Sequence, residues 1–170
     1  MKLLYPWFLL VLATPVCAHG PTPQKTDQTL LVQAPAETVW KLLSEPCAIR
    51  QWHPDVADCQ SSDARKRELT LKNGAKLNEE FDEVLVEEMS ISYRLAGNPD
   101  IKALPVSSLT GRIKLKPEGS GVRVSWMARY YRADTTNEPP KGMDDQSALN
   151  AVNQYVKSGL DGLASPAAKK

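Results

Sequence analysis

Residues 144–163 read DDQSALNAVNQYVKSGLDGL, and Leu149, Val152, Val156, Leu160 and Leu163 within them fall at steps of three or four. That spacing is one stripe of an α-helix. Asn150, Asn153, Gln154, Lys157 and Asp161 occupy the other faces. Asp144 and Asp145 suit the N-terminus, where a carboxylate caps free backbone N–H groups and meets the positive end of the helix dipole. About twenty residues of helix run roughly 30 Å, the width of a small domain. Upstream of this helix the chain reads mostly as short strands. One long amphipathic helix after a run of strands predicts an α+β domain, a curved antiparallel sheet closed around the helix.

The strands follow from alternation and turn residues. Seven are predicted, over Thr29–Gln33, Val56–Ser61, Arg65–Lys72, Ala75–Leu85, Met89–Ala96, Val106–Lys116 and Val122–Tyr131. Two short helices interrupt them after the first. Ala34-Pro35 opens one, with Glu37 in its first turn and Val39, Trp40, Leu42 and Leu43 as its apolar side, until Glu45-Pro46 ends it. The other, Cys47–Trp52, stops at His53-Pro54 because the residue before a proline resists the helical region. Strand parity points Val122, Val124, Trp126, Ala128 and Tyr130 inward, together with Met89, Ile91, Tyr93 and Leu95, and with Leu109, Gly111, Ile113 and Leu115. Tyr93, Trp126 and Tyr130 are bulky residues with polar ends that suit a cavity wall or an ordinary core with satisfied hydroxyls.

Lys72-Asn73-Gly74 links the third and fourth strands and sets their register. A two-residue Asn73-Gly74 turn would pair Leu71 with Lys76. A three-residue loop with Gly74 left-handed pairs Leu71 with Ala75 and Leu69 with Leu77, which keeps apolar residues together. The three-residue loop is preferred, and it sets Arg67 opposite Glu79 on the inward side. Two opposite charges buried there should meet; at an open sheet end in water they would contribute little.

The N-terminus reads as a segment separate from the domain. Lys2, the apolar run Leu3–Leu12 and Val16-Cys17-Ala18 form a secretory leader, with cleavage expected after Ala18. The apolar run is short for a membrane span, and nothing after it is long and apolar enough to make one. The mature chain then has about 150 residues, one domain with a core of its own. Residues 19–28 read as a flexible lead-in, 29–164 as the domain and 165–170 as a frayed tail. The whole chain carries 21 basic and 20 acidic residues, and losing Lys2 balances them. A neutral chain without a basic run argues against nucleic acid as partner. Export, in a bacterium to the periplasm, leaves Cys47 and Cys59 as an isolated pair in an oxidising compartment. A disulfide follows from that, with two buried free thiols as the alternative.

Ala-Pro-Ala-Glu-Thr-Val-Trp at 34–40 and Trp52-His53-Pro54-Asp55-Val56 resemble the opening of the START-like, helix-grip superfamily (SRPBCC, with the polyketide cyclase/dehydrase and lipid-transport proteins). Ile91–Leu95, Leu104-Pro105-Val106 and Gly121–Trp126 resemble its later strands. The likeness runs over roughly Thr29 to Leu163. With a leader, it is similar to the exported MxaD-type methanol-oxidation accessory proteins. The resemblance implies a sheet gripping the C-terminal helix with a hydrophobic cavity between them. In such folds Trp52 and His53 would lie near the cavity mouth, as gate or ligand residues; the other reading makes Trp52 a core plug and His53 a surface residue.

The chain itself offers little catalytic machinery. Of its two histidines, His19 would begin the mature chain, leaving His53 in the fold. There is no P-loop, no GxSxG, no dinucleotide fingerprint and no zinc spacing, so no cofactor or metal is expected. Asp144-Asp145 and Glu87-Glu88 are adjacent carboxylates that diverge. Three functions stay open. The first is a non-enzymatic accessory module, which the resemblance would set beside a periplasmic dehydrogenase or its cytochrome. The second is a carrier or sensor of a small apolar ligand. The third is a cyclase- or isomerase-like enzyme using Glu79, Arg67 or Tyr93. The ligand contacts expected are Trp52, His53, Arg67, Glu79, Tyr93, Trp126 and Tyr130.

Overall fold

The computed structural model describes residues 20–165. The expected leader over Met1–Ala18, His19 and residues 166–170 lie outside the described residues. In chain order the elements are β1 (Gln24–Val32), α1 (Ala36–Ser44), α2 (Ile49–Trp52), β2 (Val56–Asp63), β3 (Lys66–Leu71), β4 (Lys76–Leu85), β5 (Ser90–Leu95), β6 (Val106–Glu118), β7 (Gly121–Arg132) and α3 (Asp145–Ala164). The strands form one seven-stranded sheet in the order β1-β7-β6-β5-β4-β3-β2, and every pairing is antiparallel. Register shifts in β2, between Phe81 and Glu83 in β4, and between Val106 and Ser108 in β6 mark bulges. Bulges bend strands and increase their twist, and the sheet curves around α3 as expected.

α3 begins as its sequence requires. The Asp144 carboxylate accepts a hydrogen bond from the Ser147 backbone N–H at 2.8 Å, and Asp145 lies in the first turn. That bond, more than any other influence, holds the Asp144 carboxyl below the usual carboxylate range. The buried face is wider than the apolar stripe, because Ala148, Tyr155 and Gly159 join Val152, Val156, Leu160 and Leu163 in it, while Leu149 is half-buried. Strand parity holds on β6, β7 and the middle of β5, while Met89 and Leu95 at the ends of the expected β5 set are half-buried. Val122, Val124, Trp126, Ala128 and Tyr130 are buried on β7, Ile91 and Tyr93 on β5, and Leu109, Ile113 and Leu115 on β6.

Most strand ends lie one or two residues from the expected ones, and two departures from the sequence reading bear on the interior. Residues 24–28, expected as part of a flexible lead-in, are the first half of β1 and pair with Tyr130–Trp126 of β7. Their polar composition hides an inward position, Thr26, which is satisfied by side chains rather than by apolar packing. Its hydroxyl donates to Asn153 Oδ1 at 2.8 Å and lies 2.9 Å from the Tyr130 hydroxyl, while Gln28 Nε2 donates to the Asn153 carbonyl at 3.0 Å. Asn153 is therefore a β1 partner and not a solvent-facing residue. The second helix starts two residues later than expected. Cys47 lies in the turn between α1 and α2, and its bond to Cys59 ties that turn to β2, with the two Cα atoms 5.4 Å apart.

Candidate ligand-binding site

The β3–β4 loop places the buried charges. Leu71 N–H donates to the Ala75 carbonyl at 2.8 Å, and Gly74 takes φ +81°, a conformation open to glycine. Leu69 then faces Leu77, and Arg67 faces Glu79. Arg67 Nε and Nη2 both donate to Glu79 Oε2, at 2.7 and 2.6 Å, with side-chain exposures of 7% and 2%. Arg67 Nη1 donates to the Pro46 carbonyl at 2.7 Å, and the guanidinium carbon sits 4.9 Å from the centre of the Phe81 ring. Burial of this kind holds a charge pair only when both members are hydrogen-bonded.

Tyr93 and Trp126 meet deeper in the sheet. Trp126 Nε1 donates to the Tyr93 hydroxyl at 2.9 Å. Tyr93 has room because Gly111 stands opposite it in the β5–β6 register; a Cβ there would lie 2.2 Å from the Tyr93 ring. Burial, and after it the nearby Glu79 charge, raise the Tyr93 hydroxyl well above the ordinary tyrosine range.

His53 and Tyr155 form the second half of the cluster. The break at Pro54 turns His53 under α3, where its ring lies 4.3 Å from that of Tyr155 and edge-on to Trp126. His53 Nδ1 accepts from the Asp55 backbone N–H at 3.2 Å. His53 Nε2 and the Tyr155 hydroxyl are buried with no hydrogen-bond partner among the described residues. Desolvation lowers the His53 pKa from 6.5 to about 4, opposed by the Asp55 charge and the Tyr155 backbone. Burial, then the Glu79 charge, drive the Tyr155 hydroxyl far above its usual range. Trp52 packs against both His53 and Trp126, and its Nε1 donates to the Leu42 carbonyl at 3.2 Å. Both Trp52 and His53 are buried, so His53 is no surface residue, and both line a cleft of about 470 Å³ together with Pro54, Lys72, Asp161 and Gly162.

Most of the expected contacts therefore converge. Trp52, His53, Tyr93 and Trp126 form one cluster with Tyr155, and the Arg67–Glu79 pair acts on its hydroxyls. Tyr130 stands apart, joined to Thr26. Tyr155 and Gly159 were missed by the stripe argument, although Tyr155 lies three residues after Val152 and Gly159 four after Tyr155, both helical steps. The space between sheet and helix is filled by these side chains, which keep almost no water-accessible surface. The clefts open at its margins. One of about 310 Å³ runs between the β3–β4 loop and α3, lined by Asp55, Leu71, Lys72, Leu104, Ala151 and Tyr155 among others. Among the described residues no group of three or more histidine, cysteine or acidic side chains could hold a metal ion.

The family model for polyketide cyclase/dehydrase and lipid transport proteins matches residues 23–167 of the sequence. The chain belongs to that family. Solved structures agree on the fold. An uncharacterized protein from Bacillus thuringiensis aligns with a TM-score of 0.69 at 20% identity, over 83% of this chain and 96% of its own. The protein XoxI from Bacillus cereus gives 0.69 at 20% identity, over 82% and 92%. The Zhui aromatase/cyclase from a Streptomyces species gives 0.67 at 14% identity, over 86% and 94%. No curated protein sequence matches the chain significantly. This family member has the helix-grip architecture with its centre closed by aromatic side chains.

Proposed function

We propose that this family member is an exported binding protein for a small, largely apolar ligand carrying one polar group, and that it is not a catalyst. The observation that carries this reading is the Tyr155 hydroxyl, buried without a hydrogen-bond partner among the described residues on a residue that lines the cleft of about 310 Å³, while His53, whose Nε2 is likewise unpartnered, lines a second cleft of about 470 Å³. Buried polar groups in native proteins are almost always hydrogen-bonded, and exceptions mark a functional demand. The cleft has the size of the smaller ligand pockets and offers Leu71, Ala103, Leu104 and Ala151 to an apolar body. A ligand that passes the Tyr155 ring from this cleft meets the buried hydroxyl with its own polar group.

Electrostatics favours binding over catalysis. A general acid or base works best with a pKa near the operating pH. Here His53 is lowered to about 4, and both tyrosines are raised above their usual range. Arg67 and Glu79 neutralise each other. The cyclase- or isomerase-like reading has no group in this cluster tuned for neutral pH.

Periplasmic residence is part of the proposal. It is supported by the leader-like N-terminal sequence and by the Cys47–Cys59 bond, and among the described residues no helix is long and apolar enough to cross a membrane. The accessory reading, assistance to a periplasmic methanol dehydrogenase or its cytochrome, has one structural support: the exposed apolar run Val84-Leu85-Val86 at the end of β4. The test of the primary reading is native mass spectrometry of protein purified from the periplasm. A retained small molecule that Tyr155→Phe releases supports ligand binding. A dehydrogenase captured by wild type and lost with Val86→Glu would support the accessory reading instead.

A further inference from the structure

The turn between α1 and α2 covers the buried ion pair, and one covalent bond holds that turn in place. Pro46, whose carbonyl takes the third contact of the Arg67 guanidinium, immediately precedes Cys47. Cys59, at the other end of the disulfide, faces Leu69 on β3, and Ser61 two residues on faces Arg67. The bond therefore straps the turn across β2 and onto the start of β3, over Arg67.

Within the turn, Glu45 is exposed and Pro46 and Cys47 are half-buried, while Ala48 is buried and its N–H donates to the Glu45 carbonyl at 3.1 Å. Its flanks are fixed independently by the packing of Val39, Leu43, Ile49 and Trp52 and by the Trp52 bond to Leu42. The Arg50–Asp58 contact is a solvent-exposed ion pair, and such pairs add little. From the open end of the sheet, a cleft of about 440 Å³ lined by Gln60, Ser61, Arg67 and Glu79 among others already reaches the charge pair. Two sides of the same guanidinium thus face a cleft and a strapped turn.

We propose that the Cys47–Cys59 bond is a redox latch: its reduction releases residues 45–47 of the turn and opens the Arg67–Glu79 pair to solvent while the domain stays folded. The reductant is a dithiol. One of its thiolates attacks a sulfur of the bond, with Cys47 the less buried of the two residues. Its second thiol resolves the mixed disulfide, so that two cysteine thiols form as the dithiol becomes a disulfide. A disulfide oxidant reverses the step. The latch acts on the interior at the Lys66 end of β3, whereas the Tyr155 cleft lies at its Leu71 end, and it stands whatever ligand the interior takes.

The test compares oxidised and dithiothreitol-reduced protein under native conditions. Modification of Arg67 by phenylglyoxal is followed by peptide mass spectrometry, and folding by near-ultraviolet circular dichroism and urea unfolding. The expected result is modification at least tenfold faster after reduction, with a cooperative unfolding transition retained and protection restored on reoxidation. The double variant Cys47→Ser, Cys59→Ser should behave as the reduced protein with or without reductant. Equal protection of Arg67 in both states overturns the proposal. So does loss of the cooperative transition on reduction, which would make the bond a staple of the whole domain.

Discussion

Arg67 and Glu79 face each other across β3 and β4, with Nη2 and Oε2 2.6 Å apart and both side chains nearly closed to water. The pair exists because a three-residue loop, ending in a left-handed glycine, puts Leu69 opposite Leu77 and carries the charges to the same inward face. Removing one partner strands the other charge. Glu79→Leu or Arg67→Met alone should cost about 3–5 kcal/mol. The double variant should recover most of that loss, because an apolar pair replaces a neutralised one. A double-mutant cycle in urea checks this, and additive single effects would contradict it.

His53 makes stability depend on pH. Its pKa is lowered from 6.5 to about 4 in the folded state, so the unfolded chain binds the proton more readily. The stability it contributes is complete above about pH 6.5 and is lost as pH falls toward 4. The full shift corresponds to about 3 kcal/mol at most. Urea midpoints of the wild type should fall over that window, and those of His53→Gln should fall less. Parallel curves for the two proteins would show that His53 titrates normally.

Two glycines set how closely α3 approaches the rest. A Cβ on Gly159 would lie 2.5 Å from Trp126 Cζ3 and 2.8 Å from His53 Cδ2, and one on Gly162 would lie 1.8 Å from the Trp52 backbone carbonyl. Alanine is the better helix former by roughly 1 kcal/mol, yet both substitutions should destabilise. Gly162→Ala should be the worse, since backbone yields less than a ring. Thermal unfolding of the two variants decides the order, and stabilisation by either would contradict the packing.

Much of this was legible in the sequence, for one reason. Where apolar spacing was clear, as in α3 and β7, the inward faces followed, and in the Lys72-Asn73-Gly74 loop it set the register against the two-residue turn that Asn-Gly suggests. The failures share a cause too. Thr26, Asn153 and Gln28 are polar residues whose partners come from distant elements, so composition made the first half of β1 look like a lead-in and left Asn153 off the packed face of α3. Tyr155 and Gly159 escaped because the apolar stripe was drawn through aliphatic residues alone. A sequence pattern shows which side a residue faces; whether its polar atom finds a partner there is set by the packing of other strands.

The β1 correction has its own consequence. Deleting residues 19–28 removes Thr26 and the pairs from Gln24 to Gln28, leaving Asn153 and the Tyr130 hydroxyl without Thr26. Unpaired buried polar groups cost about 1–3 kcal/mol each. The truncated protein should therefore unfold at distinctly lower urea than the protein beginning at His19. Equal midpoints would restore the lead-in.

The central claim is that the interior cluster serves a ligand, and the most direct measurement is native mass spectrometry of the oxidised protein, purified without denaturation, beside its Tyr155→Phe variant. The account predicts a reproducible mass excess of a small molecule on the wild type, reduced or absent on a variant that keeps the wild-type unfolding transition. A wild type that carries the bare chain mass, and whose melting temperature no small hydroxylated or carbonyl-bearing apolar compound raises, would contradict it.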